Sequence, residues 1–334
     1  MKWQLYAKIL AMPHILLVKT SSMGDIVHNM PVIADILEHV PNASIDWVVE
    51  ESFAELVALH PAVNRIIPIA MRRWKKALTH KITWQQLSAF RHSLQAMHYD
   101  AVLDTQGLLK SALISRLAHG PSYGANRQTA REAIAGTLYQ HPRHIPQNLH
   151  ASVRSRMLAA KALGYAMPQT PPVYNLRPPP ALPAIAVAGN YAVGLHSTAR
   201  DSKLWPSAYW IELGQFLAAQ GLRLLLPWGS AGERARAEQI AAAVPDAAVL
   251  PKMCLTELAS LIADAKLAVG LDTGLMHLAV ALGIPTLAIF TDTEIWQAGT
   301  YPPAHSKALT IGGKRLLPAP AVAIEAIGKL LPLH

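Results

Sequence analysis

Three short segments carry the side chains best suited to chemistry. Lys19-Thr-Ser-Ser-Met-Gly-Asp25 sets a cation, three hydroxyls and a carboxylate around Gly24. Where a strand turns into a helix, Gly24 permits close backbone approach and Asp25 lies at the helix start. Asp25 then either caps the helix with Ser22 and complements its dipole, or stands at a cleft mouth as a general base. His196-Ser-Thr-Ala-Arg-Asp-Ser-Lys203-Leu-Trp-Pro206 gathers hydroxyls with Arg200 and Lys203, a set that can hold phosphate oxygens. Lys203 is a compact charge suited to a departing diphosphate. The plainer reading is a polar loop before a helix opened by Pro206. In Gly270-Leu-Asp-Thr-Gly-Leu-Met-His277, Thr273 and Gly274 would offer backbone N–H groups at a helix N-terminus, where phosphate binds well. Asp272 suits sugar hydroxyls, and His277 faces the same end. A lone histidine there reads as structural, but the whole cluster favours function.

Two basic groups stand apart, Arg72-Arg-Trp-Lys-Lys76 and the pair Arg127 and Arg131. Each also fits a plain solvated face. There is no G-x-G-x-x-G after the first strand, no G-x-x-x-x-G-K-[ST], no H-E-x-x-H and no C-x-x-C. Those gaps argue against a nicotinamide dehydrogenase or epimerase, a P-loop ATPase and a zinc hydrolase.

The elements that must position these residues follow from periodicity. Strands are expected at 14–20, 45–49, 65–70 and 100–104, with helices at 26–40 (kinked by Pro31), 84–97 and 107–117. A Pro-rich stretch, 168–183, reads as a linker. A second series follows, with strands at 191–195, 222–226, 267–270 and 286–290, and helices at 207–220, 231–243, 255–265, 275–282 and 321–331. Such alternation implies two α/β domains with parallel sheets, which bind ligands at the carboxyl ends of their strands. No internal repeat is evident.

Length and composition agree. The chain has 334 residues, enough for two domains, with 51% apolar and 15% charged residues. No apolar run is long enough for a membrane span. Lys8, Pro13 and Lys19 interrupt any signal-peptide core, and the single Cys254 fits a reducing compartment, so a cytoplasmic location is expected. The Asn42-Ala-Ser sequon is then silent. Residues 1–170 hold 18 Lys+Arg against 10 Asp+Glu, and residues 171–334 hold 12 against 11. The basic first half points to an anionic partner: nucleic acid, a membrane surface or an acidic substrate.

Taken together, KTSSMGDIVH (19–28), DWVVEE (46–51), RRWKKA (72–77), DTQGLLKSA (104–112), TARE (129–132), RDSKLWP (200–206), LPWG (226–229), LPKM (250–253) and DTGLMHLA (272–279) resemble the ADP-heptose:lipopolysaccharide heptosyltransferases, glycosyltransferase family 9. The likeness runs from Pro13 to near the end. SSMGD and RRWKKA favour the branch whose acceptor is Kdo on lipid A. The alternatives are a sister branch acting on a heptosylated acceptor and another nucleotide-sugar transferase of the family.

The resemblance implies a GT-B fold: two Rossmann-like domains facing across a cleft, an acceptor domain at 1–170, a linker at 171–184 and a donor domain at 185–320. The final helix, about 321–334, would pack back on the first domain. It implies an inverting transferase with no metal and no cofactor, ADP-heptose being a substrate. It assigns Asp25 as catalytic base. Donor positions are Thr198, Ala199, Lys203, Glu233, Met253, Asp272, Thr273, Gly274 and His277. Acceptor positions are Ser22, Gly24, Arg72, Arg73, Lys76 and Arg131. The implied partners are ADP-heptose, Kdo-lipid A and the anionic inner leaflet of the inner membrane, to which the enzyme would bind peripherally, with no nucleic acid. At Thr198-Ala199 the family pattern has two threonines, so one hydroxyl contact is lost or passes to a backbone N–H. Residues before Pro13 have no family counterpart, which makes Met1 and Met12 both candidate starts.

Overall fold

The apolar run HILLV forms β1 (His14–Val18), buried but for its first residue. A computed structural model of the protein describes residues 12–178, 189–300 and 307–331. The chain divides into two compact units, residues 1–175 and 176–334. Much of the Pro-rich stretch expected as a linker lies outside the described residues. So do the eleven residues that begin the chain.

In the first unit β1 pairs with β2 (Ser44–Glu50) and β4 (Ala101–Asp104). β3 (Val63–Ile69) flanks β2, and β5 (Ser122–Ala125) and β6 (His141–Arg143) complete the other side. In the second unit β7 (Tyr191–Leu195) lies between β8 (Arg223–Leu226) and β10 (Leu267–Leu271). β9 (Ala248–Val249), β11 (Thr286–Phe290) and β12 (Ala308–Gly312) extend the sheet. Every pairing is parallel. The orders are β3-β2-β1-β4-β5-β6 and β12-β11-β10-β7-β8-β9, so each unit repeats the same third-second-first-fourth-fifth-sixth pattern. The order reverses between first and fourth strands, and the carboxyl ends at such a point hold ligands in open α/β sheets. Here those ends are β1 with β4, and β7 with β10. The two Rossmann-like units expected from the sequence are therefore present. The shared topology is a repeat of architecture that residue identities do not display.

The expected helix at 26–40 is two helices, Met23–Asn29 and Pro31–His39, meeting at Met30. Pro31 supplies no N–H and begins the second helix instead of kinking one continuous helix. A helix at Ala151–Leu163 was not anticipated, because several of its buried residues are polar: Ser152, Ser155 and Arg156. Arg156 donates from Nε and Nη2 to Asp35 at 2.7 and 2.9 Å, a buried bidentate pair that ties this helix to Pro31–His39. The final helix, Pro320–Leu330, differs from expectation too. It lays Ala323, Ala326 and Ile327 into the second unit's core with Leu287 and Ile289, because its apolar residues recur at helical spacing toward β11 and β12.

Candidate active site

In the first unit the chain leaves β1 at Val18 and enters the helix Met23–Asn29 at Ser22. The Asp25 carboxylate turns back over this entry and accepts from Ser22 N–H at 3.1 Å and Ser22 Oγ at 3.0 Å. The capping reading is therefore correct. It leaves capacity over, because among the described residues Oδ1 has only the Lys19 ammonium, 3.9 Å away, and the side chain is 23% exposed. Arg131 Nη1 approaches Oδ2 at 3.4 Å. Arg154, whose Nη2 donates to the Thr129 carbonyl, lies in the electrostatic field of both Arg131 and Asp25. Burial alone would raise the Asp25 pKa, but Lys19, Arg131 and the Ser22 donors outweigh it and hold the carboxyl below its ordinary range. Burial likewise pushes the Lys19 ammonium down, against the pull of Asp25.

The loop before Asp25 is fastened from β4. Gln106 Oε1 accepts from Thr20 N–H (2.7 Å), Thr20 Oγ1 (3.1 Å) and Ser21 N–H (3.2 Å), and Gln106 Nε2 donates to the Ser21 carbonyl (2.6 Å). Gln106 is itself held by Asp104, whose Oδ1 accepts from the N–H groups of Gln106 (2.8 Å) and Gly107 (3.1 Å). Tyr139 donates to Asp104 Oδ2 at 2.6 Å. Gly107 at φ 69° makes the turn possible. Gly124 leaves room for the Tyr139 ring, which a Cβ there would meet at 2.3 Å.

Arg72, Arg73 and Lys76 follow β3, two strands from β1 and so roughly 10 Å to the side. Arg73 is committed to Glu51 by two bonds of 3.0 and 2.8 Å. The Arg72 guanidinium lies over the Phe53 ring at 5.4 Å, and Arg72 and Lys76 are exposed.

In the second unit the ends of β7 and β10 meet through one ion pair. Lys203 Nζ lies 2.5 Å from Asp272 Oδ2, which also accepts from Thr293 Oγ1 at 2.7 Å. His277 Nε2 is 3.5 Å from Asp272 Oδ1. Burial would raise the Asp272 pKa. His277, Lys203 and Thr293 overcome that and hold it well below the usual carboxylate range. Asp272 is thus paired with Lys203; the sequence suggested it for sugar hydroxyls. Thr273 is the N-cap of the helix Gly274–Ala281, its Oγ1 accepting from Met276 N–H at 3.5 Å. Glu233, after β8, accepts from Gly229 N–H (2.6 Å) and Ser230 N–H (3.3 Å) at the start of the helix Ala231–Ala241. Met253 is half-buried after β9, and Thr198 and Ala199 lie in the loop after β7. His196 is buried with a pKa lowered to about 4, first by burial and then by Arg236, so it stays neutral beside the Pro227 carbonyl. Its place is structural.

Residues 87–322 match the model of glycosyltransferase family 9 (heptosyltransferase). The chain is 46% identical over 288 residues to lipopolysaccharide heptosyltransferase 1 of Escherichia coli K12, covering 86% of this chain and 90% of that protein.

The chain belongs to glycosyltransferase family 9.

A Pseudomonas aeruginosa lipopolysaccharide heptosyltransferase 1 is 43% identical over 288 residues, 86% of this chain and 81% of the other. Among solved structures, E. coli heptosyltransferase WaaC with ADP superposes with a TM-score of 0.87 at 40% identity, over 95% of this chain and 100% of that one. E. coli ADP-heptose lps heptosyltransferase II shares the fold, with a TM-score of 0.75 at 22% identity over 95% and 98%. The GT-B class expected from the sequence is the class of this family 9 transferase.

Within this family 9 chain the structure brings Ser22, Gly24, Asp25 and Arg131 together in the first unit, and Lys203, Asp272, Thr273, Gly274 and His277 in the second. It leaves Arg72, Arg73 and Lys76 to one side of the first group, and Glu233 and Met253 one and two strands out from the second. Sequence reasoning missed Gln106, Arg154 and Thr293 as site residues and took Lys19 only as part of a motif. The signal for Gln106 lay in DTQG, a polar strand end that mirrors DTG.

Proposed function

We propose that the protein transfers L-glycero-D-manno-heptose from ADP-heptose to the Kdo of Kdo-lipid A by a single inverting displacement. The observation that carries this reading is the Asp25 carboxylate, partly open among Lys19, Arg131 and Arg154 at the carboxyl end of β1. Three cations around one carboxylate leave the site net positive, which suits an acceptor that brings its own carboxylate. Heptosyltransferase names among the relatives, and the WaaC complexes with ADP and with ADP-2-deoxy-2-fluoro heptose, support the donor.

In this mechanism the acceptor hydroxyl attacks the anomeric carbon of the heptose. Its proton passes to Asp25, and the bond from that carbon to the diphosphate oxygen breaks with the electron pair leaving on ADP. Lys203 and the N–H groups of Thr273 and Gly274 receive the growing phosphate charge. Such preorganised donors are worth about 2.7–4 kcal/mol each. Asp272 and Thr293 aim Lys203, while Thr198, Ala199, Glu233 and Met253 line the nucleotide's path along the strand ends. Asp25 contributes roughly 100- to 10,000-fold as base. Its depressed pKa keeps it ionised, so activity falls only as pH drops below about 4. Arg72 and Lys76 bind acceptor phosphates, with Arg73 joining them only on release from Glu51, and the basic first unit rests on an anionic cytoplasmic leaflet. Among the described residues no helix is long and apolar enough to cross a membrane, and no group of three or more His, Cys, Asp or Glu is placed to share a metal ion.

The test is ADP release with ADP-heptose and Kdo-lipid A, paired with calorimetric donor titration. Asp25→Ala should abolish turnover while donor affinity survives. A near-normal rate would remove Asp25 as the base.

A further inference from the structure

From residue 56 to residue 99 the chain contains no Asp or Glu. Within that stretch lie a turn and the start of the helix Lys81–Gln95. Leu78, Ile82 and Trp84 there are 54%, 54% and 62% exposed, three large apolar side chains within seven residues. The helix buries Thr83, Phe90 and Leu94, so its core-facing side is already supplied. Ile82 and Trp84 are not among its buried residues.

The exposure is built in. Trp84 Nε1 donates to the Leu78 carbonyl at 2.9 Å, and Thr83 Oγ1 donates to the Ala77 carbonyl at 2.7 Å. Trp74 Nε1 and Arg73 Nη1 both donate to Gln86 Oε1, at 2.8 and 2.7 Å. These bonds clamp the turn to the helix and hold the apolar trio outward. Lys75, Lys76 and Lys81 are exposed around it, and Glu51, the nearby acid, is neutralised by Arg73.

We propose that this turn and helix start form a docking surface for an anionic phospholipid bilayer. Leu78, Ile82 and Trp84 enter the boundary between headgroups and acyl chains, where an indole with a polar edge is favoured. The lysines meet lipid phosphates. A protein partner would suit the apolar trio alone, but lysines unrelieved by any acid in 44 consecutive residues (56–99) suit a surface of uniform negative charge. The inference gives a place to the membrane association proposed above and rests on that part of the reading, not on the roles of Asp25 or Lys203.

The full-length protein should float with vesicles of phosphatidylethanolamine and phosphatidylglycerol and not with phosphatidylcholine vesicles. Lys75→Gln with Lys81→Gln should weaken binding about thirtyfold, from about 1 kcal/mol per lysine. Leu78→Gln with Ile82→Gln, which leaves the Trp84 clamp intact, should weaken it about tenfold or more. Melting curves should match wild type, since all four side chains are exposed. Equal binding to both vesicle types, binding to neither, or variants that bind like wild type would overturn the proposal. So would displacement by free inorganic phosphate at matched phosphorus, which would mark a phosphate seat, or self-association lost in the Leu78/Ile82 variant, which would make a second copy the occupant. Turnover of a deacylated, water-soluble Kdo acceptor should stay at wild-type level in the Leu78/Ile82 variant. Loss there would mean substrate binding and not docking, and it is read separately from Asp25→Ala.

Discussion

Asp104 and Asp272 stand at the ends of the fourth strands of two sheets with one topology, and each opens an Asp-Thr segment that runs through a glycine into a helix. Their carboxylates are put to opposite use. Asp104 is 1% exposed and spent on Gln106, Gly107 and Tyr139, with its pKa raised chiefly by burial. Asp272 faces Lys203, Thr293 and His277, with its pKa pulled well down against burial. The backbone decides between them. Gly107 at φ 69° folds the first segment back so that two N–H groups point at Asp104. Thr273 at φ −139° and ψ 163° is extended, so the chain carries on into its helix and Asp272 is left to side-chain partners. One extra residue, Gln106, thus turns a site carboxylate into a loop anchor.

The largest expected separation comes from replacing each aspartate by asparagine. Asp272→Asn removes the charge that aims Lys203 and should lower kcat by a hundredfold or more at saturating donor. Asp104→Asn instead strains a buried hydrogen-bonded anchor. It should cost about 1–3 kcal/mol in urea unfolding, with donor affinity unchanged. Equal losses of turnover in both variants, with equal stability, would collapse the contrast.

Acid titration sharpens it further, because the two shifts have opposite sign. Asp272, with a depressed folded pKa, contributes stability that is present above about pH 4 and lost as pH falls through its folded value. Asp104, with a raised folded pKa, gives stability that is present below about pH 4 and lost as pH climbs toward its folded value. The gap between wild type and Asp272→Asn in urea midpoint should therefore narrow on acidification below about pH 4. The gap between wild type and Asp104→Asn should narrow as pH is raised above it. Parallel curves would show that the two carboxylates share one environment.

This contrast also marks how far the residues alone lead. Strands β1, β2, β7, β10 and β11 were legible because each is a short apolar run buried in a central position. β6, His141-Pro-Arg, and the two-residue β9 were not, since two or three residues without an apolar run carry no period, whereas the edge strand β3 does carry one. Asp25, Lys203, Asp272 and His277 stand in compact local motifs, which is why the sequence singles them out. Gln106 joins the Thr20–Ser21 loop across 85 or 86 residues, and Thr293 reaches Asp272 across 21, so periodicity carries no trace of either bond.

Gln106 is the next test in size. Gln106→Ala deletes five hydrogen bonds to the Asp25 loop while leaving Asp25, Ser22 and the Asp104–Tyr139 bond in place. At about 1 kcal/mol net for a typical bond, and with water replacing part of the set, kcat should fall about tenfold and donor affinity should hold. Unchanged kcat with reduced stability would make Gln106 a fold residue only.

Thr293→Val is the smallest and the most discriminating change. It keeps shape and removes one hydroxyl, 2.7 Å from Asp272 Oδ2, while Lys203 and His277 remain. A hydrogen bond to a charged group contributes about 1.5–3 kcal/mol, but Lys203 on the same oxygen takes up part of that loss. A drop of about fivefold in kcat/KM for ADP-heptose is expected, well short of that for Asp272→Asn. If Thr293→Val matched Asp272→Asn, Asp272 would owe its function to the hydroxyl and not to the lysine it aims. The two fourth-strand aspartates would then both be anchors, differing only in what they hold.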